Sequence, residues 1–107
     1  MSANPIDKAS SGAAPPASGM ARRVVTICNQ RGLHARAAAR FVKTAAQFDA
    51  EVTVRKNGTM VSGRSIMGLM MLAAAPGAVI QLTATGREAE AAVIALAKLV
   101  ECKFDED

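Results

Sequence analysis

His34 is the only histidine among the 107 residues of the chain. It lies in the run RGLHARAAARF, residues 31–41, between Gly32 and the arginines Arg36 and Arg40, where an alanine-rich helix begins. The first N–H groups of a helix have no intrahelical acceptor. Together with the helix dipole they stabilise a bound anion by about 0.3 to 1 kcal/mol, and by more when partly buried. Arg36, two residues on, can add a charge-assisted contact to the same anion. Gly32 permits close approach or an unusual turn just ahead of the ring. An imidazole with a pKa of about 6.5 also offers a neutral, nucleophilic nitrogen near neutral pH. A nucleophile beside an anion cradle points to phosphoryl transfer through the ring, and the bland alternative is a histidine with a purely structural role.

The elements that must hold this ring follow from composition and period. Half of the residues are hydrophobic and the only aromatics are three Phe, so one small aliphatic core fits the length and two domains do not. A formal charge of +4 favours acidic partners without choosing among nucleic acid, anionic membrane, phosphate or an acidic protein face. Cys28 and Cys102 lack C-x-x-C spacing and are expected to be buried free thiols. No signal-peptide core and no run of about 18 apolar residues occurs, and a cytoplasmic, soluble protein is expected.

Residues 1–21 are rich in Ala, Ser and Gly, hold three of the four prolines, and are expected to form a disordered tail ahead of a domain at 22–107. VVTICN, residues 24–29, predicts a strand. From Ala35 to Phe48 the apolar residues Ala38, Phe41, Val42 and Ala45 predict a one-faced helix. EVTVRKNGTMVSG predicts a hairpin around Asn57-Gly58. SIMGLMML, residues 65–72, predicts a brief helix with Ser65 as its N-cap. After the Pro76-Gly77 turn AVIQLTAT predicts a fourth strand. Thr85 with Glu88 predicts a capping box, and Ala89, Ala92, Val93, Leu96 and Val100 the buried face of a last helix. The order β-α-β-β-α-β-α implies an α+β fold with helices on one side of a mainly antiparallel four-stranded sheet.

GLHARAAARFVKTAAQF, then NGTMVSGRSIMGLMML, then a Gly-containing turn into a final strand and helix resembles the HPr family, the histidine-containing phosphocarriers of the bacterial phosphotransferase system. The resemblance spans about residues 22–101, matches that family's open-faced sandwich, and over Asn29–Phe41 is closer to the nitrogen-related than to the sugar-transport branch. It implies that His34 takes a phosphoryl group on Nδ1 from phospho-Enzyme I and passes it to a histidine of an Enzyme II A-type domain. It further implies that Arg36 steadies the phosphate and that no metal or cofactor is needed. One departure stands out: Ala37 follows Arg36 where much of the family has H-x-R-P. Proline costs little in a first helical turn and restricts the unfolded chain by about 0.4 to 1 kcal/mol. The transfer chemistry is expected to survive that loss, with a looser first turn.

The resemblance also makes Ser65 a site of regulatory phosphorylation by an HPr kinase, adding about two negative charges near the partner surface. Ile66, Met67, Met70 and Met71 cannot all face inward on so short a helix, and exposed methionines form an adaptable apolar patch. Arg31, Arg36, Arg40 and Arg64 are expected to ring it with positive charge and speed encounter with an acidic partner. A monomer without nucleic-acid or membrane partners is expected. The other class of reading is a small basic nucleic-acid-binding or ligand-sensing module with a structural His34. The absence of Trp and Tyr speaks against a base-stacking platform.

Overall fold

A computed structural model describes residues 19–106. The elements are β1 (Met20–Thr26), α1 (Ala35–Ala45), β2 (Glu51–Lys56), β3 (Thr59–Ser62), α2 (Ile66–Met71), β4 (Val79–Thr85) and α3 (Ala89–Glu101). The strands form one sheet in the order β1-β4-β2-β3, with every pairing antiparallel. The α+β, open-faced architecture is the expected one.

Period 2 along the strands sorts the two faces. Val25, Val52, Val54, Ile80, Leu82 and Ala84 point into the core, whereas Arg22, Val24 and Arg55 stand exposed on the open face. Against the inner face α1 sets Ala37, Ala38, Phe41 and Ala45, α2 sets Leu69, and α3 sets Ala92, Val93, Leu96, Ala97 and Val100. Alanine at so many contact positions lets the helices lie close to the sheet. The bulk is supplied by Phe41 and Phe104, both fully buried. Truncating either to Ala removes on the order of 3–5 kcal/mol.

The hairpin turns at Asn57, whose φ of 56° is the left-handed conformation that Asn tolerates. Ser65 caps α2, its Oγ accepting from the Gly68 N–H at 2.9 Å. All five residues expected on the buried face of α3 are buried.

Four boundaries or environments differ from expectation. β1 runs from Met20 to Thr26 rather than from 24 to 29, because pairing with β4 continues through the exposed Arg22 and Arg23, which carry no apolar alternation. It therefore begins inside the segment expected as a tail, and residues 1–18 of that segment lie outside the described residues. α1 stops at Ala45 rather than Phe48, as the bonds from Gln47 N to Thr44 O and from Phe48 N to Ala45 O tighten the last turn. No capping box forms at α3: Thr85 stays in β4, opposite Met20 and Glu51, and the Glu88 carboxylate accepts from the Asp49 N–H at 2.7 Å. Both thiols are exposed rather than buried. Cys28 falls beyond the end of β1, and Cys102 follows the last core residue of α3.

Among the described residues no helix is long and apolar enough to cross a membrane.

Candidate functional site

The ring of His34 is placed by the turn ahead of α1. Gly32 has φ +68°, and a Cβ there would lie 2.6 Å from the Ala74 carbonyl oxygen, so only glycine fits. Leu33 N donates to that same oxygen at 2.9 Å, which ties the approach to α1 to the chain after α2. His34 is the N-cap of α1, in extended conformation, and its side chain makes no capping bond. The first helical bond runs from Ala38 N to His34 O, so the N–H groups of Ala35, Arg36 and Ala37 precede the helical ladder. No acidic residue occurs in this first turn.

The carboxylate that faces this helix mouth comes from the other end of the chain. Glu106 Oε2 meets His34 Nε2, and Glu106 Oε1 accepts from Asn29 Nδ2 at 3.1 Å. Asn29 is itself buried, gives its second Nδ2 hydrogen to the Gly32 carbonyl at 2.7 Å, and leaves Oδ1 buried without a donor among the described residues. Buried amides are normally satisfied, so Asn29 marks a place where local stability is sacrificed. The bond to His34, and after it the bond to Asn29, holds the Glu106 carboxyl below the usual carboxylate range; partial desolvation opposes this, and the charges of His34 and Arg31 add to it.

Glu106 reaches the ring through a left-handed turn. Lys103, Phe104 and Asp105 have φ of 57°, 56° and 61°, a run that L-residues adopt only under constraint. The constraint is visible: the Phe104 side chain is fully buried, and its carbonyl accepts from the guanidinium of Arg40.

His34 is half-buried, its side chain 15% exposed, where a freely exposed ring was expected; the covering group is Glu106. Among the described residues Nδ1 makes no hydrogen bond. On the Glu106 side of the ring contact, an open cleft of about 320 Å³ is lined by Gln30, Arg31, Arg36, Arg40, Asp105 and Glu106. Arg31 also borders His34 on the side of Ala73–Ala75. Of the arginines expected in one exposed ring, Arg31 and Arg36 line this cleft without a hydrogen-bond partner among the described residues. Arg40 is half-buried and committed to Phe104, and Arg64 lies on the turn before α2.

The apolar patch on α2 is exposed throughout, Ile66, Met67, Met70 and Met71 lying in solvent while Leu69 alone of that helix is buried. Met71, for which a core position was equally open, is the most exposed of the four. Asn29, Phe104 and Glu106 were missed by sequence reasoning. A lone Phe in the polar ending KFDED was the one available signal.

A family model described as "PTS HPr component phosphorylation site" matches residues 21–102. The phosphocarrier protein HPr of Neisseria meningitidis serogroup A is 49% identical over 87 residues, covering 81% of this chain and 98% of that protein. The phosphocarrier protein NPr of Shewanella violacea is 46% identical over 84 residues, 78% of this chain and 92% of its own length. Among solved structures, HPr from Thermoanaerobacter tengcongensis superposes with a TM-score of 0.78 at 42% identity, covering 81% of this chain and 98% of that one.

Proposed function

The chain belongs to the HPr family of phosphocarriers of the phosphotransferase system, and from that membership and the site's geometry we infer that His34 is the residue that carries the phosphoryl group. One observation carries the reading. Among the described residues the imidazole at the mouth of α1 has Nε2 engaged by the Glu106 carboxylate and Nδ1 without a hydrogen bond, and Glu106 lines a cleft that also holds the guanidinium groups of Arg31 and Arg36, which make no hydrogen bond there. A carboxylate on Nε2 keeps the ring proton there and leaves the lone pair on Nδ1.

In the relay, the Nδ1 lone pair attacks the phosphorus of a phosphohistidine on phospho-Enzyme I. The donor's N–P bond breaks as the His34 N–P bond forms, and the positive charge gained by the ring is matched by Glu106. A histidine of an Enzyme II A-type domain then attacks the same phosphorus and returns His34 to its neutral form. Arg36 and the spare N–H groups of the first turn of α1 hold the phosphoryl oxygens. Asp105 and Glu106 share the cleft with them and must yield space to a dianion. The chain thus acts as acceptor and donor rather than as an enzyme, as a single chain, with no metal or cofactor in the step.

The exposed patch of Ile66, Met67 and Met70, together with Arg64 on the turn before α2 and the cleft arginines Arg31, Arg36 and Arg40, is the docking surface for these partners. Ser65 lies beside it at the N-cap of α2, where an HPr kinase would add charge that opposes an acidic face of Enzyme I. A base-stacking role gains no support, because Phe41 and Phe104 are buried in the core and Phe48 packs against it.

The test is incubation with Enzyme I and phosphoenolpyruvate. An acid-labile, base-stable phosphate on His34 is expected; absence of label with several Enzyme I proteins would favour a binding module.

A further inference from the structure

Two thiols lie at the root of the segments that grip His34, and the relay does not use them. Cys28 Sγ rests at the carboxyl end of α3, 3.4 Å from the Val100 oxygen and 3.8 Å from the Glu101 oxygen. The Glu101 oxygen belongs to the peptide that leads into Cys102. Planar trans geometry sets the Cys102 Cα about 2.8 Å from it. Cys28 Sγ is therefore within about 6.6 Å of the Cys102 Cα, and the exposed Cys102 side chain can swing its own sulfur over about 2.8 Å of that gap. What remains to the bonding length of about 2.05 Å is a small adjustment at the end of a helix.

We propose that Cys28 and Cys102 form a reversible disulfide that locks the C-terminal turn onto His34. The proposal rests on the phosphocarrier reading only for its functional consequence. The reaction is exchange with a low-molecular-weight disulfide. The thiolate of one cysteine attacks it, forms a mixed disulfide and releases one small thiol. The second thiolate then displaces the other small thiol, so two protein thiols are oxidised while one small disulfide is reduced to two thiols.

The position of the pair gives the bond its effect. Cys28 is followed directly by Asn29, and Cys102 by the left-handed turn that delivers Glu106. Asn29 and Glu106 are themselves hydrogen-bonded, so the new bond ties together the roots of the two segments whose contact holds the carboxylate on His34. In the reduced protein the turn is held by one buried phenyl ring and a few polar contacts, and its left-handed conformation favours release. Stapled at its root, the turn leaves the cleft less readily, and incoming phosphate competes with two carboxylates held near it.

The experiment treats the full native chain with oxidised glutathione, then measures intact mass, maps thiol peptides, and times labelling of His34 by Enzyme I and phosphoenolpyruvate. The expected product has lost two hydrogens and joins the peptides of Cys28 and Cys102. It labels about tenfold more slowly, in the usual range for coupling between two sites, and recovers its rate with dithiothreitol. Cys28→Ser and Cys102→Ser should label like the reduced protein and be indifferent to the oxidant. Glutathione adducts or linked dimers without the internal bond would overturn the proposal, as would an internal bond that leaves the rate unchanged. If the reduced protein takes no label, the relay reading fails, and the mass map still decides whether the disulfide forms.

Discussion

Two of the helix mouths in this molecule, those of α2 and α1, are finished in opposite ways. At α2, Ser65 turns its Oγ back onto the Gly68 N–H and seals the helix with its own side chain. At α1, His34 occupies the same N-cap position and makes no side-chain cap, and Arg36 of the first turn lines a cleft together with Arg31. In the unphosphorylated protein the sealed mouth contributes stability. At the unsealed one the His34 ring is met by the carboxylate of Glu106, delivered from 72 residues away. The difference teaches that the chain treats one helix start as structure and the other as a socket.

The largest expected effect that sharpens this contrast is at Arg36. Replacing it with Ala removes a charge-assisted bond worth about 1.5–3 kcal/mol, so phosphorylation of His34 should slow by about 10- to 100-fold while the unfolding midpoint hardly moves. Stopped-time labelling with Enzyme I measures it, and an unchanged rate would take Arg36 out of the socket.

The mirror experiment is Ser65→Ala. Loss of the cap should cost about 0.5–2 kcal/mol in urea unfolding and leave His34 labelling near wild type. A large loss of labelling with intact stability would mean that the α2 mouth is more than structure.

A smaller effect appears with pH. Because the His34 and Asn29 bonds hold the Glu106 carboxyl below its ordinary value of about 4.5, its grip stabilises the fold fully above that value. The contribution is lost as pH falls through the lowered folded-state value. Glu106→Gln should therefore be less stable than wild type near pH 6, and the gap should close toward pH 2. A gap that persists at pH 2 would show that the carboxylate charge is not the stabilising feature.

The smallest effect is expected from Ala37→Pro. The residue precedes the ladder of α1, so no helical bond is lost, but its side chain is fully buried and a ring must be fitted there. Less than a tenfold change in the transfer rate is expected; a gain of several orders of magnitude would mark Ala37 as a defect of the socket.

Much of this was legible in residue order. Asn57-Gly58 specified the hairpin, Ser65 the start of α2, and the spacing of Ala89, Ala92, Val93, Leu96 and Val100 the face of α3, because each rests on chemistry within a few residues. The position of His34 and Arg36 at the mouth of α1 was legible for the same reason. The lid on the site was not. Glu106 meets His34 and Asn29, and Arg40 meets Phe104, across separations of 64 to 77 residues, and the turn that allows it is a left-handed run of Lys, Phe and Asp that no propensity favours. Burial of Phe104 and the Arg40 contact override local preference there. The cysteines were misplaced on similar grounds, since the side of a strand end or helix end on which a thiol falls depends on where the element stops.

The central claim is most directly tested by two-dimensional ³¹P and ¹⁵N NMR of the chain after treatment with Enzyme I and phosphoenolpyruvate. The account predicts one phosphorus bonded to Nδ1 of His34, with Nε2 still protonated, and no such signal in His34→Ala. Phosphate on Nε2, on another residue, or on the His34→Ala protein would contradict it.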